Sequence, residues 1–146
     1  MRNHFQHNKA FGQHFLRSDD TALQIVEALQ PLNLANNILE IGPGLGVLTQ
    51  HLKKIPEKKL FVSEVDRRII ELLKSEQHFP ESQILEGDFL KLNLKTLVGE
   101  PFLLIGNFPY NISSQILFKM LDILELVPLM VGMFQKEMAL RVVAKH

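Results

Sequence analysis

Asn37-Ile38-Leu39-Glu40-Ile41 runs without a break into Gly42-Pro43-Gly44-Leu45-Gly46, and a helical pattern follows to about Lys54. A short apolar run that stops at a glycine cluster and gives way to a helix is the opening unit of a parallel α/β sheet. Glycines at alternate positions let the backbone come close to a ligand, and the helix start behind them offers unbonded N–H groups. The spacing is Gly-x-Gly-x-Gly, not Gly-x-Gly-x-x-Gly. A dinucleotide fold seats a pyrophosphate at the helix start, whereas the tighter turn leaves room for an amino-acid moiety carried on a nucleoside.

Upstream of this unit, Ser18, Asp19 and Asp20 supply N-cap chemistry for an amphipathic helix. In it Ala22, Ile25, Val26 and Leu29 recur at helical spacing until Pro31. Downstream the strand-then-helix pattern repeats. Leu60 to Val65 reads as a second strand with a helix from Arg67 to about Gln77, and Gln83 to Glu86 as a third strand. Phe102 to Gly106 is a fourth, with a helix-like segment from Ser113 to Leu126. Leu129 to Phe134 is a fifth, with a helical stretch from Lys136 to Lys145. Such alternation predicts a parallel sheet covered on both faces.

The strand ends carry the polar chemistry. Glu64 ends the second strand roughly 20 residues past the glycine turn, where a carboxylate can take both hydroxyls of a ribose. Asp66 is the alternative, but it also suits the N-cap of the helix it opens. At the third strand end Asp88 can accept from the amino group of a bound adenine and Phe89 can pack on its ring; equally, the pair is a turn aspartate beside a core phenylalanine. The fourth strand ends in Asn107-Phe108-Pro109-Tyr110. The Asn107 amide and the Phe108 carbonyl can each accept a hydrogen bond from an exocyclic amine, with Pro109 fixing the backbone beyond. The Tyr110 ring offers a face for a base taken out of its stack. An ordinary strand-to-helix turn uses the same residue types.

Composition narrows the class. One domain is the natural count for 146 residues, and 46% hydrophobic content suffices for a single core. Sixteen basic side chains balance 16 acidic ones, so no global field draws the chain onto nucleic acid. From Met1 to Arg17 no acidic residue occurs, while Arg2, Lys9, Arg17, His4, His7 and His14 do, with Phe5, Phe11 and Phe15 between them. That arm can touch phosphates or stand as a solvated terminus. The absence of cysteine excludes disulfides and zinc-thiolate sites. No signal-peptide core or long apolar run is present, which makes the cytoplasm the expected location. His51, His78 and His146 lack ligand spacing, are read as surface residues, and no metal is expected.

Six segments together resemble the ribosomal RNA adenine dimethyltransferases, the KsgA-like enzymes and their Erm relatives. They are Phe11-Gly12-Gln13-His14-Phe15-Leu16, Glu40-Ile41-Gly42-Pro43-Gly44-Leu45-Gly46, Glu64-Val65-Asp66, Gly87-Asp88, Asn107-Phe108-Pro109-Tyr110-Asn111-Ile112-Ser113-Ser114 and Gln135-Lys136-Glu137. The resemblance implies a Rossmann-like S-adenosylmethionine-dependent methyltransferase fold, doubly wound and mostly parallel. Residues 1–17 would form an N-terminal arm and 18–146 a catalytic domain that lacks the family's last strands and C-terminal helical domain. It further implies dimethylation of the exocyclic amine of two adjacent adenosines near the 3′ end of small-subunit (16S) rRNA, within a ribosomal subunit or its precursor, by a monomer. Gln13, His14, Phe15, Leu16, Gly42, Gly44 and Gly46 would border the methionine part of S-adenosylmethionine, and Glu40 would also bind the cofactor. Glu64 would bind its ribose, and Asp88 with Phe89 its adenine. Asn107, Phe108, Pro109 and Tyr110 would form the catalytic loop, with Asn107 also near the cofactor. Phe108 and Gln115 depart from the residues usual there, and Asn111 looks more like the housekeeping than the resistance branch.

Three rivals share parts of this pattern. An NAD-linked dehydrogenase has the strand-glycine-acid logic but leaves Asn-Phe-Pro-Tyr unexplained. An Erm-type large-subunit rRNA methyltransferase shares the motifs. A non-catalytic RNA-binding assembly factor would keep the cofactor fold without the reaction.

Overall fold

Nearly continuous burial along the central strands, with neighbouring residues entering different core clusters, shows why these segments pair as one sheet with two buried faces. Ile38, Leu60, Val62, Leu103 and Ile105 enter one core cluster, whereas Leu39, Ile41, Phe61, Leu85, Phe102 and Leu104 enter the other. Successive strand residues point to opposite faces, so a strand apolar at every position must be covered on both sides. The computed structural model describes residues 18–76, 78–108 and 112–133. The strands are β1 (Asn37–Ile41), β2 (Lys59–Glu64), β3 (Ile84–Glu86), β4 (Phe102–Asn107) and β5 (Leu129–Met133). All adjacent pairs run parallel, in the order β3-β2-β1-β4-β5. This is the expected doubly wound sheet.

Helices α1 (Asp19–Glu27), α2 (Thr49–Leu52) and α3 (Arg67–Ser75) serve the first face. They contribute Ala22, Val26, Leu52, Ile69 and Leu73 to its core. Helices α4 (Leu94–Leu97) and α5 (Ser113–Asp122) serve the second, through Leu94, Ile116 and Met120. Each fully buried aliphatic or aromatic side chain contributes roughly 1.5–3 kcal/mol. The β-layer is therefore the stable frame from which the loops project.

Local caps fix the helix starts. Ser18 accepts the Thr21 N–H at 3.2 Å, and Asp66 accepts the Arg68 N–H at 3.0 Å. Asp66 is thus the N-cap of α3, the alternative to a ribose role, and its carboxylate also meets the Arg68 guanidinium at 2.7 Å. Element ends shift by a few residues from the sequence reading, and two departures are larger. The helix expected to Leu126 ends at Asp122, because Ile123 leaves helical geometry and the chain turns so that the Leu126 carbonyl accepts the Phe102 N–H at 2.8 Å. Between β3 and β4 lie a 3-10 turn, Phe89–Lys91, and α4, neither of which apolar periodicity announced. The helix expected over 136–145, Phe134 and the 1–17 arm lie outside the described residues.

Candidate active site

The strand order makes a topological switch beside β1. The chain winds from β1 through β2 to β3 on one side, then crosses to β4 on the other. Loops leaving the carboxyl ends of β1 and β4 therefore diverge and open a crevice, the usual ligand position in such sheets. Those loops are the glycine turn and the segment beginning at Asn107. Register places Ile41 beside Gly106, so the two expected motifs leave from adjacent strands at one level.

The glycine turn is shaped by backbone that only glycine adopts easily. Gly42, Gly44 and Gly46 have φ of 63°, 55° and 88°. The Gly42 N–H donates to the Ser63 carbonyl at 2.8 Å, and the Gly46 N–H closes a tight turn on the Pro43 carbonyl at 3.0 Å. A Cβ built at Gly42 meets nothing within 4 Å, so bare backbone faces open space there.

Two buried carboxyls stand near the carboxyl ends of β1 and β2. Glu40 is 1% exposed, and its Oε1 accepts the Thr49 hydroxyl at 2.5 Å. Burial pushes its carboxyl up to about 8; the Thr49 hydrogen bond works against that rise and the Glu64 carboxylate adds to it. Glu64 is 6% exposed, and its Oε2 accepts the N–H groups of Val65 at 2.9 Å and Asp66 at 3.0 Å. Burial raises its pKa as well, opposed by those N–H groups and by the Gly44 N–H. The second-strand acid is thus tied directly to the glycine turn. Sequence reasoning missed Thr49, whose only signal is a small hydroxyl residue opening the helix behind the glycines.

At the β3 end the expected pair divides. Asp88 is exposed and its Oδ1 accepts the Leu90 N–H at 3.0 Å, capping the 3-10 turn. Phe89 is 4% exposed and packs in the second core cluster. That cluster also holds Ile116 and Met120 of α5. Asp88, not the Phe89 ring, is what this strand end presents outward. Lys119 of α5, also missed from sequence, donates to the carbonyls of Phe89 at 2.5 Å and Leu92 at 2.7 Å. Its ammonium stands 4.9 Å from the Phe89 ring centroid. Burial lowers the Lys119 pKa, with Asp88 opposing.

A model described as ribosomal RNA adenine dimethylase matches residues 4–146. The chain belongs to the ribosomal RNA adenine dimethylase family. Over 140 residues it is 47% identical to ribosomal RNA small subunit methyltransferase A of Cytophaga hutchinsonii, covering 94% of this chain and 54% of that protein. The like-named protein of Bacteroides fragilis is 48% identical over 137 residues, covering 93% and 50%. Among solved structures, a dimethyladenosine transferase from Plasmodium falciparum superposes with TM-score 0.69 at 30% identity, covering 89% of this chain and 46% of that one. The 23S rRNA methyltransferase ErmE gives 0.66 at 29%, covering 86% and 50%. The chain spans about half the length of the curated relatives it matches.

For this dimethylase-family chain the remaining residues sort as follows. Asn107 is half-buried at the end of β4 and Phe108 is buried. Pro109, Tyr110, Asn111, Gln13, His14, Phe15, Leu16 and the 135–137 segment lie outside the described residues. His51 is not a plain surface residue: its side chain is 15% exposed and its Nε2 meets the Asp19 Oδ1 at 2.8 Å, because α2 packs against the start of α1. Gln50 donates to the same Asp19 oxygen at 3.0 Å. Among the described residues no group of three or more His, Asp or Glu is placed to hold a metal, and no helix is long and apolar enough to cross a membrane.

Proposed function

We propose that this chain is the S-adenosylmethionine-binding, catalytic portion of an enzyme that dimethylates the exocyclic amine of two adjacent adenosines near the 3′ end of small-subunit rRNA. The observation that carries the reading is the placement of the glycine turn and Asn107 on adjacent strands at the switch point. Family membership and the names of its relatives support the substrate class. The cofactor fit rests on bare backbone at Gly42 and on the Glu64 carboxyl at the end of β2, an acceptor that suits the hydroxyls of a nucleoside.

When bound, S-adenosylmethionine supplies an activated methyl group on a sulfonium. The glycine turn and Glu40 border its methionine part, Glu64 takes the ribose hydroxyls, and Asp88 accepts from the adenine amine. Gln13, His14, Phe15 and Leu16 close the methionine side. The Asn107 amide oxygen and the Phe108 carbonyl accept the hydrogens of the target amine, favouring a pyramidal and more nucleophilic nitrogen aimed at the methyl carbon. Pro109 holds that backbone, and Tyr110 stacks on the flipped base, worth ~1–3 kcal/mol by comparison with other base–aromatic contacts. The positive charge that leaves sulfur would appear on the methylated nitrogen, which would then shed its proton to water, so these residues need not include a strong general base. The chain works as a monomer on a ribosomal subunit or its precursor in the cytoplasm.

The test is mass spectrometry of rRNA digests after the 146-residue chain and S-adenosylmethionine are incubated with small subunits lacking the modification. Dimethyladenosine at the 3′ end is the expected product. Cofactor binding without any methylated adenosine would reduce the chain to a cofactor-binding module.

A further inference from the structure

Gly106 of β4 and Gly132 of β5 are register partners on neighbouring parallel strands. One aromatic ring lies across both. A Cβ built on Gly106 would stand 3.2 Å from Phe108 Cε1 and 3.3 Å from its Cδ1, and one built on Gly132 would stand 2.1 Å from Cε2 and 2.7 Å from Cδ2. The two edges of the Phe108 ring therefore rest on two bare Cα positions. Neither glycine is among those with positive φ, so what the site requires of them is the missing side chain, not the backbone freedom. The backbone is tight too: the same Cβ atoms would come within 2.8 Å of the Ile41 and Gly106 carbonyl oxygens, respectively.

The ring is 5% exposed and belongs to the second core cluster with Ile41, Leu104 and Ile116. A planar group held along both edges has one orientation, and its short link to the main chain then limits where the residue 108 backbone can lie. The residue fixed in this way directly follows Asn107. Glycine pairs inside strands weaken a sheet by loss of side-chain packing, so this pair has a cost that the seated ring offsets.

We propose that Gly106 and Gly132 form a slot that latches the Phe108 ring, making Phe108 a positioning residue that holds the Asn107 amide and its own carbonyl at the target amine. The inference rests on the methyl-transfer reading of this loop. Its chemical content is a size exchange: a ring at 108 demands no side chain at 132, and a smaller side chain at 108 admits one.

The test uses the 146-residue chain carrying Phe108→Ala, Phe108→Leu, Gly132→Ala, or Gly132→Ala with Phe108→Leu. Two quantities are read: amide hydrogen exchange of the peptide spanning 102–108, and kcat and KM for methyl transfer to unmodified small subunits. Gly132→Ala and Phe108→Ala should each speed exchange of that peptide and lower kcat about tenfold or more, as a misplaced reacting group does, with KM for S-adenosylmethionine within about twofold. The double variant should recover most of both losses relative to Gly132→Ala alone. Wild-type exchange and kcat in Phe108→Ala would overturn the latch. A double variant as impaired as Gly132→Ala would also overturn it, assigning the defect to the carbonyl contact instead. If Gly132→Ala does not fold, the two Phe108 variants, which open space and create no clash, decide the matter. Exchange that responds as stated in a wild-type chain that methylates nothing would sink the methyl-transfer reading and leave the latch standing.

Discussion

On the β1–β2 bank of the crevice, Glu40 accepts the Thr49 hydroxyl, and Glu64 accepts the backbone N–H groups of Val65, Asp66 and Gly44. On the β4–β5 bank, Asn107 is followed by a ring lying on two bare glycines. The first bank is set by charge and hydrogen-bond satisfaction, so it responds to protonation and to removal of single polar atoms. The second is set by volume and responds to methyl groups added or removed. A cofactor-side defect should therefore appear in binding, and a loop-side defect in turnover.

Asn107→Ala offers the largest break between the banks. In the proposed reaction it removes an acceptor for the reacting nitrogen, and loss of about 10²–10³ in kcat is expected, the range seen when one preorganised hydrogen-bonding group is deleted at a reacting centre. S-adenosylmethionine affinity should stay within about threefold, measured by calorimetry on the same preparation. Equal transfer by the variant would remove Asn107 from the chemistry.

Glu64→Ala should act in the opposite sense. If Glu64 takes the ribose hydroxyls as proposed, its loss weakens cofactor binding about tenfold to hundredfold, following the ~1.5–3 kcal/mol of hydrogen bonds to charged groups. The kcat at saturating cofactor should change less than KM. Unchanged affinity would mean that Glu64 serves only the Val65, Asp66 and Gly44 N–H groups it already accepts from.

Glu40 makes the polar bank pH-sensitive. Its folded-state carboxyl titrates near 8 against 4.5 in an unconstrained chain, so the folded protein binds the extra proton between those values. Stability from this group is therefore full below the lower value and falls as pH rises toward the upper one. Between about pH 6 and about pH 8 the wild-type chain should lose ~1–2 kcal/mol that Glu40→Gln does not lose, read from urea unfolding at a series of pH values. Parallel curves for the two proteins would show that Glu40 is ionised throughout. The β4–β5 variants should leave the slope unchanged, which keeps the comparison sharp.

The sheet was legible because its five apolar runs are punctuated by glycine, proline and capping residues, and because burial of both faces needs no knowledge of partners. The strand-end acids were legible for the same reason: position along a strand implies position at the crevice. Thr49 and Lys119 were not, since each acquires its meaning from a partner that only tertiary folding brings near. Gly132 read as one more residue of an apolar run, because sequence gives a strand but not the ring that will lie across it.

Lys119 joins the banks and should give the smallest effect. Its ammonium donates to the Phe89 and Leu92 carbonyls from α5, the helix that follows the Asn107 loop, and so ties that helix to the segment after Asp88. Lys119→Met keeps the apolar stem and removes both donors, leaving two partly buried carbonyls without this partner. A net hydrogen bond contributes ~0.5–1.5 kcal/mol, but desolvation already disfavours this cation, as its lowered pKa shows, so the sum is about 1 kcal/mol. For a chain of this length that corresponds to a fall of roughly 3 °C in Tm. Because Asp88 lies in the tethered segment, cofactor affinity should drop about twofold while kcat holds. A Tm equal to wild type would show that the ammonium only covers the Phe89 ring, and a fall in kcat without a fall in affinity would place Lys119 with the loop bank instead.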